Sequence, residues 1–102
     1  MRIIKRATLA AYWAENPRAK SGLARWYEVA KAAEWTRFPD VRATFPHADQ
    51  VTVKSGRRVV VFNVGGNKYR LITAIHYNRQ WVFTLMVLTH AEYDKDDWKE
   101  VL

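Results

Sequence analysis

Four side chains of the types that bind phosphate or move protons lie in two short stretches of the sequence. Lys68 and Arg70 follow the turn-forming run Gly65-Gly66-Asn67, whereas His90 and Tyr93 lie three residues apart near the end. Lysine and arginine form charge-assisted hydrogen bonds to phosphate oxygens, and histidine is the side chain that ordinarily titrates near neutral pH. These residue types suit a phosphate-binding site with an acid–base group beside it.

The two basic residues are expected on a β-hairpin. Residues 58–64 are rich in β-branched and aromatic side chains, the glycine pair and Asn67 form the turn, and residues 69–76 return with alternating character. Because side chains alternate between faces, Lys68 and Arg70 are predicted to share one face of the strand, with Asn67 at its mouth. We expect the two glycines to permit the turn geometry and not to form a phosphate-binding loop, since no P-loop pattern surrounds them.

His90 and Tyr93 are expected at the start of the last helix. The run Thr89-His90-Ala91-Glu92 fits a capping box, in which the threonine hydroxyl and the glutamate carboxylate each satisfy a backbone N–H. This helix is predicted to continue toward Trp98, and the free N–H groups at its start attract anions. If the last strand lies beside the strand that carries the two cations, all four side chains line one groove.

Each of these residues also has a purely structural interpretation. A histidine at a helix start is more often a cap or a surface residue than a catalyst, and two strand cations are more often a solvated face. Tyr93 could instead pack against Trp98 or Trp81. The acidic residues Glu92 and Asp94 flank the site, and we interpret them as capping or orienting groups.

The charge of the chain predicts a polyanionic partner or an acidic protein. Its 102 residues, enough for one domain over residues 1–102, carry a formal net charge of +7. Residues 1–79 hold 15 Lys and Arg against 5 acidic residues, whereas residues 80–102 hold 2 against 5. A polyanion is therefore expected to dock on the basic body of the chain.

Residue types that are missing or scattered exclude several other chemistries. The chain has no cysteine, which excludes a disulfide scaffold, a thiolate zinc site and a cysteine nucleophile. Its three histidines lack metal-ligand spacing, so we predict no metal site and regard His47 and His76 as structural. No stretch resembles a signal peptide or a membrane span, so we expect a cytoplasmic protein that does not contact membranes.

The pattern of apolar residues predicts an α+β domain with helices packed on one face of a sheet. A strand is expected at Met1 to Ile4, a helix from the N-cap Thr8 to Asn16, and a second helix from about Arg18 or Ser21 to Trp35. Four strands then follow as an antiparallel meander, and the last of them covers Trp81 to Leu88.

Two runs of this sequence resemble a known family. The run VFNVGGNKYRLITA and the later VLTHAEYD are similar to those of HigB toxins of type II toxin–antitoxin pairs, within the RelE/ParE superfamily. The likeness spans nearly the whole chain. It implies a RelE-like fold, in which an N-terminal strand and two helices pack on a four-strand meander with a short C-terminal helix. It also implies a ribosome-dependent mRNA endonuclease that a HigA-like helix-turn-helix antitoxin neutralises.

RNA cleavage needs few groups, because RNA carries its own nucleophile. One group removes the 2′-OH proton, another protonates the 5′ leaving oxygen, and cations stabilise the charge on the phosphate, so neither metal nor cofactor is required. The expected catalytic residues are His90, Tyr93, Arg70 and Lys68. His90 would be the acid or base, Tyr93 would share proton transfer or stack on a base, and the cations would stabilise the transition state. The expected RNA-binding residues are Asn67, Arg57, Arg58, Lys54 and Arg79.

Two further functions remain open at this level. A toxin of the same fold could inhibit its target by binding it without cleavage, as the gyrase-directed branch of the superfamily is thought to do. A non-catalytic RNA- or DNA-binding module would need only the basic charge and the aromatic residues. The set of His90, Tyr93, Lys68 and Arg70 favours the nuclease.

Overall fold

A five-stranded sheet forms the centre of the computed structural model, which describes all residues from Met1 to Leu102. The strands are β1 (Arg2–Ile4), β2 (Asp49–Thr52), β3 (Arg58–Val64), β4 (Tyr69–His76) and β5 (Trp81–Thr89). Their order across the sheet is β1-β5-β4-β3-β2. Strands β2 to β5 pair antiparallel with their neighbours in sequence, which confirms the predicted meander, and β1 pairs parallel with β5.

Four α-helices and three short 3₁₀ turns complete the fold. The helices are α1 (Arg6–Glu15), α2 (Lys20–Ala32), α3 (Phe38–Thr44) and α4 (His90–Asp94). The 3₁₀ turns cover Pro17–Ala19, Tyr77–Arg79 and Asp97–Glu100. None of the helices combines the length and the apolar character needed to span a bilayer.

Helix α1 begins before the expected cap, so the prediction that Thr8 is its N-cap is wrong. The helix starts at Arg6, directly after Lys5, whose φ of 67° places it in the left-handed region. The Thr84 hydroxyl lies within hydrogen-bonding distance of the carbonyl oxygens of Ile4 (3.1 Å) and Lys5 (2.6 Å). This tertiary contact fixes the bend after β1, and local sequence does not reveal it.

Helix α2 ends at Ala32, three residues before the predicted end. Beyond it the chain is extended at Ala33, and the Trp35 side chain turns into the core, where only 1% of its surface is exposed. Its ring stacks on Phe62 at a centroid distance of 6.1 Å. Burial of a large aromatic side chain therefore outweighs continuation of the helix.

The sheet is covered on both faces, by different parts of the chain. Helices α1 to α3 contribute Leu9, Leu23, Trp26 and Val41 to a cluster of 15 buried residues that includes Phe62 of β3. On the other face, a smaller buried cluster joins a C-terminal tryptophan to residues in or next to the strands, namely Val53, Val59, Val61, Ile72 and Trp98. The C-terminal segment thus packs on the face opposite the three larger helices.

Helix α2 supports the β3–β4 turn through a glycine contact. A Cβ atom at Gly22 would lie only 2.7 Å from the backbone nitrogen of Gly65, which belongs to that turn. We expect Gly22→Ala to lower the free energy of unfolding, because backbone atoms must move apart at a cost of about 1–3 kcal/mol. The roughly 1 kcal/mol that alanine gains over glycine in a helix offsets part of this cost, which leaves a net loss of up to about 2 kcal/mol.

Urea denaturation measures this effect, with Ser21→Ala as the control at the exposed neighbouring position. The control should be neutral or slightly stabilising. A Gly22→Ala protein as stable as the unaltered chain would contradict the close contact.

Candidate active site

The β4–β5 pairing brings the β3–β4 turn beside the start of α4. Tyr69 pairs with Thr89 and Arg70 with Leu88, and the backbone N–H of His90 donates to the carbonyl oxygen of Lys68 at 3.0 Å. The expectation that the last strand lies beside the strand carrying Arg70 is therefore confirmed.

Three consecutive residues of the turn have left-handed backbones. Gly65, Gly66 and Asn67 have φ values of 64°, 64° and 71°, a conformation that glycine adopts freely and asparagine tolerates. The turn consequently extends through Lys68, and β4 begins at Tyr69. The prediction that Lys68 lies within the strand is wrong, and its exposed side chain forms no ion pair.

Arg70 contacts the turn, His90 and Tyr93. Its Nη1 donates to the carbonyl oxygens of Asn67 (2.8 Å) and Tyr69 (3.2 Å), and its Nη2 lies 3.3 Å from Nδ1 of His90. The guanidinium carbon also lies 5.6 Å from the centre of the Tyr93 ring. Of the five N–H donors, the Nε–H and one on Nη2 have no protein partner and remain free for phosphate oxygens.

The turn itself is held in place by Asn63, a residue that the sequence pattern did not identify. Asn63 pairs with Arg70 across the sheet, and its Nδ2 donates to Oδ1 of Asn67 at 2.9 Å. This bond fixes Asn67, whose carbonyl oxygen accepts a hydrogen bond from Arg70. Hairpin pairing was the signal that could have placed Asn63 opposite Arg70. That pairing depends on the number of residues in the turn, which was not known from the sequence.

A capping box positions His90. The Thr89 side chain accepts from the backbone N–H of Glu92 at 3.2 Å, and Oε1 of Glu92 accepts from the N–H of Thr89 at 2.9 Å. His90 directs Nδ1 at Arg70, and its Nε2 lies 3.6 Å from Oδ2 of Asp94. A neutral imidazole with its proton on Nε2 satisfies both neighbours, since Nδ1 then accepts from the guanidinium. The interpretation of Glu92 as a cap is confirmed, and an orienting role for Asp94 stays a prediction.

Tyr93 is held by the C-terminal segment. Its ring stacks on Trp98 with centroids 5.3 Å apart, and Nε1 of Trp98 donates to the Tyr93 carbonyl oxygen at 3.1 Å. Burial raises the pKa of the Tyr93 phenol, the negative charge of Asp49 raises it further, and nearby cations, including Arg70, offset part of the rise. The phenol is therefore protonated at neutral pH. Tyr93 can then act as a proton donor but not as a general base.

We expect the Tyr93 phenol to titrate above 10.0, the ordinary value for tyrosine. Because the folded state holds this proton more tightly, the contribution to stability is complete below the unfolded pKa of about 10 and is lost as pH rises through the folded pKa. NMR of ring-labelled tyrosine against pH, together with unfolding between about pH 9 and 12, measures both effects.

Tyr93→Phe is the comparison variant for this titration, and the loss of stability at alkaline pH should be smaller in it. Some loss should persist, because burial also raises the pKa values of Tyr12 and Tyr77. Titration of Tyr93 at or below pH 10 would contradict the packing described for its ring.

The predicted RNA-binding residues do not form one group. Asn67 lies in the site, but Arg58 begins β3 at the end far from the Asn63–Arg70 pair, and Arg57 precedes it. Arg79 follows β4 and stacks over Trp81 at 5.0 Å, at the other end of the β4–β5 pair. Lys54 forms an ion pair with Glu100 at 2.7 Å. The residues other than Asn67 thus lie away from the Arg70 site, and an RNA-binding role for each stays a prediction.

The two other histidines lie apart from this site. His47 is exposed after Pro46, and His76 is exposed at the end of β4, where its ring packs in a T-shaped arrangement with Phe83 at a centroid distance of 5.1 Å. No group of three or more His, Asp or Glu side chains is arranged to hold a metal ion.

Comparison with known proteins shows which family this chain belongs to. Residues 19–96, which include Arg70, His90 and Tyr93, match the family model described as HigB_toxin, RelE-like toxic component of a toxin-antitoxin system. The chain is 30% identical over 95 residues to the mRNA interferase HigB of Escherichia coli O6:H1 (strain CFT073), covering 93% of this chain and 90% of that protein. It is 28% identical over 94 residues to the mRNA interferase toxin HigB of Escherichia coli K12 and to the mRNA interferase HigB of Shigella flexneri, covering 92% of this chain and 88% of each relative. The chain therefore belongs to the HigB family of RelE-like toxins from toxin–antitoxin systems.

Proposed function

We propose that this chain is the toxin of a toxin–antitoxin pair and that it acts as an mRNA endoribonuclease. Family membership supports the toxin role, and the relatives named mRNA interferase support the substrate and the reaction. The observation that carries the chemistry is the cluster in which one guanidinium lies 3.3 Å from the His90 imidazole and 5.6 Å from the centre of the Tyr93 ring.

The proposed reaction is an attack by the 2′ oxygen of the RNA on the adjacent phosphorus. The P–O2′ bond forms and the P–O5′ bond breaks, which leaves a cyclic phosphate on one product and a 5′-hydroxyl on the other. The 2′-OH loses a proton to a base, and the 5′ oxygen gains one from an acid. The phosphorus passes through a more negatively charged state that a fixed cation stabilises.

Arg70, His90 and Tyr93 can divide this work, with Asp94 and Lys68 in supporting roles. Arg70 binds the phosphate through its free N–H donors, and movement of the guanidinium toward the phosphate releases Nδ1 of His90. That nitrogen then accepts the 2′-OH proton, and Asp94, 3.6 Å from Nε2, stabilises the resulting imidazolium. Tyr93, protonated at neutral pH, donates to the 5′ oxygen or stacks on a base. Lys68, exposed in the adjacent turn, adds positive charge near the strand of RNA.

The partners follow from the same proposal. We infer an antitoxin of the HigA-like helix-turn-helix type, mRNA on the ribosome as the substrate, and action in the cytoplasm where translation takes place. Support comes from the toxin–antitoxin family and from the net charge of +7. Metal independence is part of this proposal, because proton transfer and charge stabilisation can each be assigned to a side chain of the cluster.

The test is to express the chain and map the ends of cellular mRNA, comparing the unaltered chain with His90→Ala. We expect the variant to fold and to cleave at least about a hundredfold more slowly, which is the usual contribution of a positioned acid–base group. His47→Ala is the matched control, since His47 is an exposed histidine away from the site. Growth inhibition without new mRNA ends would instead identify a toxin that acts by binding.

Purified components test the finer parts of the proposal. Cleavage with and without ribosomes measures ribosome dependence, and addition of EDTA to the ribosome-free reaction measures metal dependence. We expect little cleavage without ribosomes and no loss of the residual rate with EDTA. Cleavage by His90→Ala at the rate of the unaltered chain would overturn the assignment of the imidazole.

A further inference from the structure

A basic cavity lies on the helix-covered side of the sheet, away from the Arg70 site. Its volume is about 240 Å³. It is lined by two arginines, two aromatic residues, one amide and two aliphatic residues, namely Arg37, Arg58, Phe38, Tyr77, Gln50, Val60 and Ile75. The largest cavity, about 410 Å³ beside α4, differs because its lining sets the two carboxylates of Glu92 and Asp97 against the one cation of Lys95, so its net charge disfavours phosphate.

The two arginines of the basic cavity are exposed and free of ion pairs. Neither Arg37 nor Arg58 pairs with a carboxylate, and no acidic residue lines the cavity. Asp40, whose charge affects both Arg37 and Tyr77, is held by Thr36, whose backbone N–H and hydroxyl donate to it at 2.9 and 2.7 Å. Two unpaired guanidinium groups at one cavity repel each other, and a bound anion would relieve that repulsion.

The lining suits a nucleotide better than an isolated anion. Phe38 and Tyr77 are half-buried aromatic residues that can pack against a base or a ribose, and the Gln50 amide can both donate and accept. Guanidinium groups bind phosphate oxygens in pairs of parallel hydrogen bonds. An acidic protein segment needs only cations in order to bind, whereas this cavity also offers aromatic residues and an amide. The lining therefore favours RNA as the ligand.

The position of the cavity separates it from the Arg70 site. Arg58 lies five strand positions from Asn63, which pairs with Arg70, so the separation along β3 is about 17 Å. The cavity also lies on the face of Val60, which belongs to the cluster under the large helices, whereas Arg70 lies on the face of the C-terminal segment. One RNA that reaches both places must pass around the sheet.

We propose that this cavity is a second RNA-binding site, in which Arg37 and Arg58 hold backbone phosphate and Phe38 and Tyr77 contact a nucleotide. This inference rests on the proposed function, since it takes RNA as the substrate. The second site anchors RNA at a distance from the scissile phosphate, so it contributes to affinity for long or folded RNA. It contributes nothing to the cleavage of fragments that occupy only the Arg70 site.

The test measures binding of a 20-nucleotide RNA with 2′-O-methyl groups throughout, which cannot be cleaved because it lacks the attacking hydroxyl. The variant is Arg37→Gln/Arg58→Gln, and the control is Arg2→Gln/Arg18→Gln, which removes the same charge from exposed positions elsewhere. We expect the first pair to raise Kd at least about tenfold more than the control pair, and to reduce the slope of log K against log salt by about 1.4. Melting temperatures should stay unchanged in both.

Two outcomes would overturn the second site. Equal losses in the two double variants would show that only overall charge matters. Retained RNA affinity with weakened binding of the cognate antitoxin would identify the cavity as a surface for an acidic protein segment. Because this RNA cannot be cleaved, the binding result is independent of catalysis, so failure of the nuclease proposal and failure of the second site are distinguishable.

Discussion

We expect Arg70→Ala to fold normally and to cleave RNA at least about a hundredfold more slowly at saturating substrate, the typical cost of removing a group that stabilises transition-state charge. Arg70 provides the only guanidinium in contact with both His90 and Tyr93. Its removal also frees Nδ1 of His90 from its donor. Single-turnover cleavage of a defined RNA measures the loss, and thermal melting confirms folding.

Two further variants define what the Arg70 result means. Arg70→Lys keeps the charge but loses the planar fork of donors, so its rate should lie between those of the unaltered chain and the alanine variant. Arg6→Ala is the matched control, because Arg6 also stacks over aromatic rings, at 5.4 Å from Trp13 and 5.1 Å from Tyr27, but lies in α1. Equal rates for Arg6→Ala and Arg70→Ala would remove Arg70 from the proposed mechanism.

Trp98→Ala is expected to cause a larger loss of stability than Gly22→Ala. Trp98 is 5% exposed and is the only residue of the C-terminal segment in the buried cluster on its face of the sheet. Truncation of a buried tryptophan costs about 3–5 kcal/mol, so we expect the melting temperature to fall by more than about 10 °C. Tyr93 loses both its stacking partner and the hydrogen bond to its carbonyl oxygen, so cleavage should also slow in the fraction that remains folded.

Trp98→Phe separates packing from hydrogen bonding, since it keeps a ring against Tyr93 and removes the Nε1 donor. We expect this variant to retain most of the stability. Trp13→Ala, on the opposite side of the sheet in α1, removes a half-buried tryptophan and should leave the cleavage rate of the folded protein unchanged. A Trp98→Ala protein with unaltered melting temperature would show that the C-terminal segment is held by other contacts.

The strand pattern was predictable because alternation of apolar side chains is local. Val59 to Val64 and the glycine pair that follows identify a hairpin without knowledge of tertiary structure, and consecutive antiparallel strands usually pair. The helix boundaries were less predictable, because they depend on distant residues. Thr84 fixes the bend before α1, and burial of Trp35 ends α2 early.

The candidate site was predictable to a similar degree. The capping box of Thr89 and Glu92 is a short-range pattern, and it correctly placed His90 at a helix start. The exact length of the turn before β4 was not predictable, because it depends on a left-handed Asn67 that Asn63 holds from the neighbouring strand. That length moved Lys68 out of the strand. The position of Arg58 far from Arg70 likewise required the observed strand register.

The two faces of the sheet are covered by buried clusters of different size, and the Arg70 site lies on the face with the smaller cluster. The large helices bury a cluster of 15 residues, whereas the segment from His90 to Leu102 is held by a cluster of 5. We therefore expect local opening of that segment to cost less free energy than global unfolding, and its amide hydrogens to exchange sooner than those of β3. His90 and Tyr93 leave with the segment, while Arg70 stays on the sheet. A protein that binds the detached segment could therefore silence the toxin by shifting a local equilibrium, without covering Arg70.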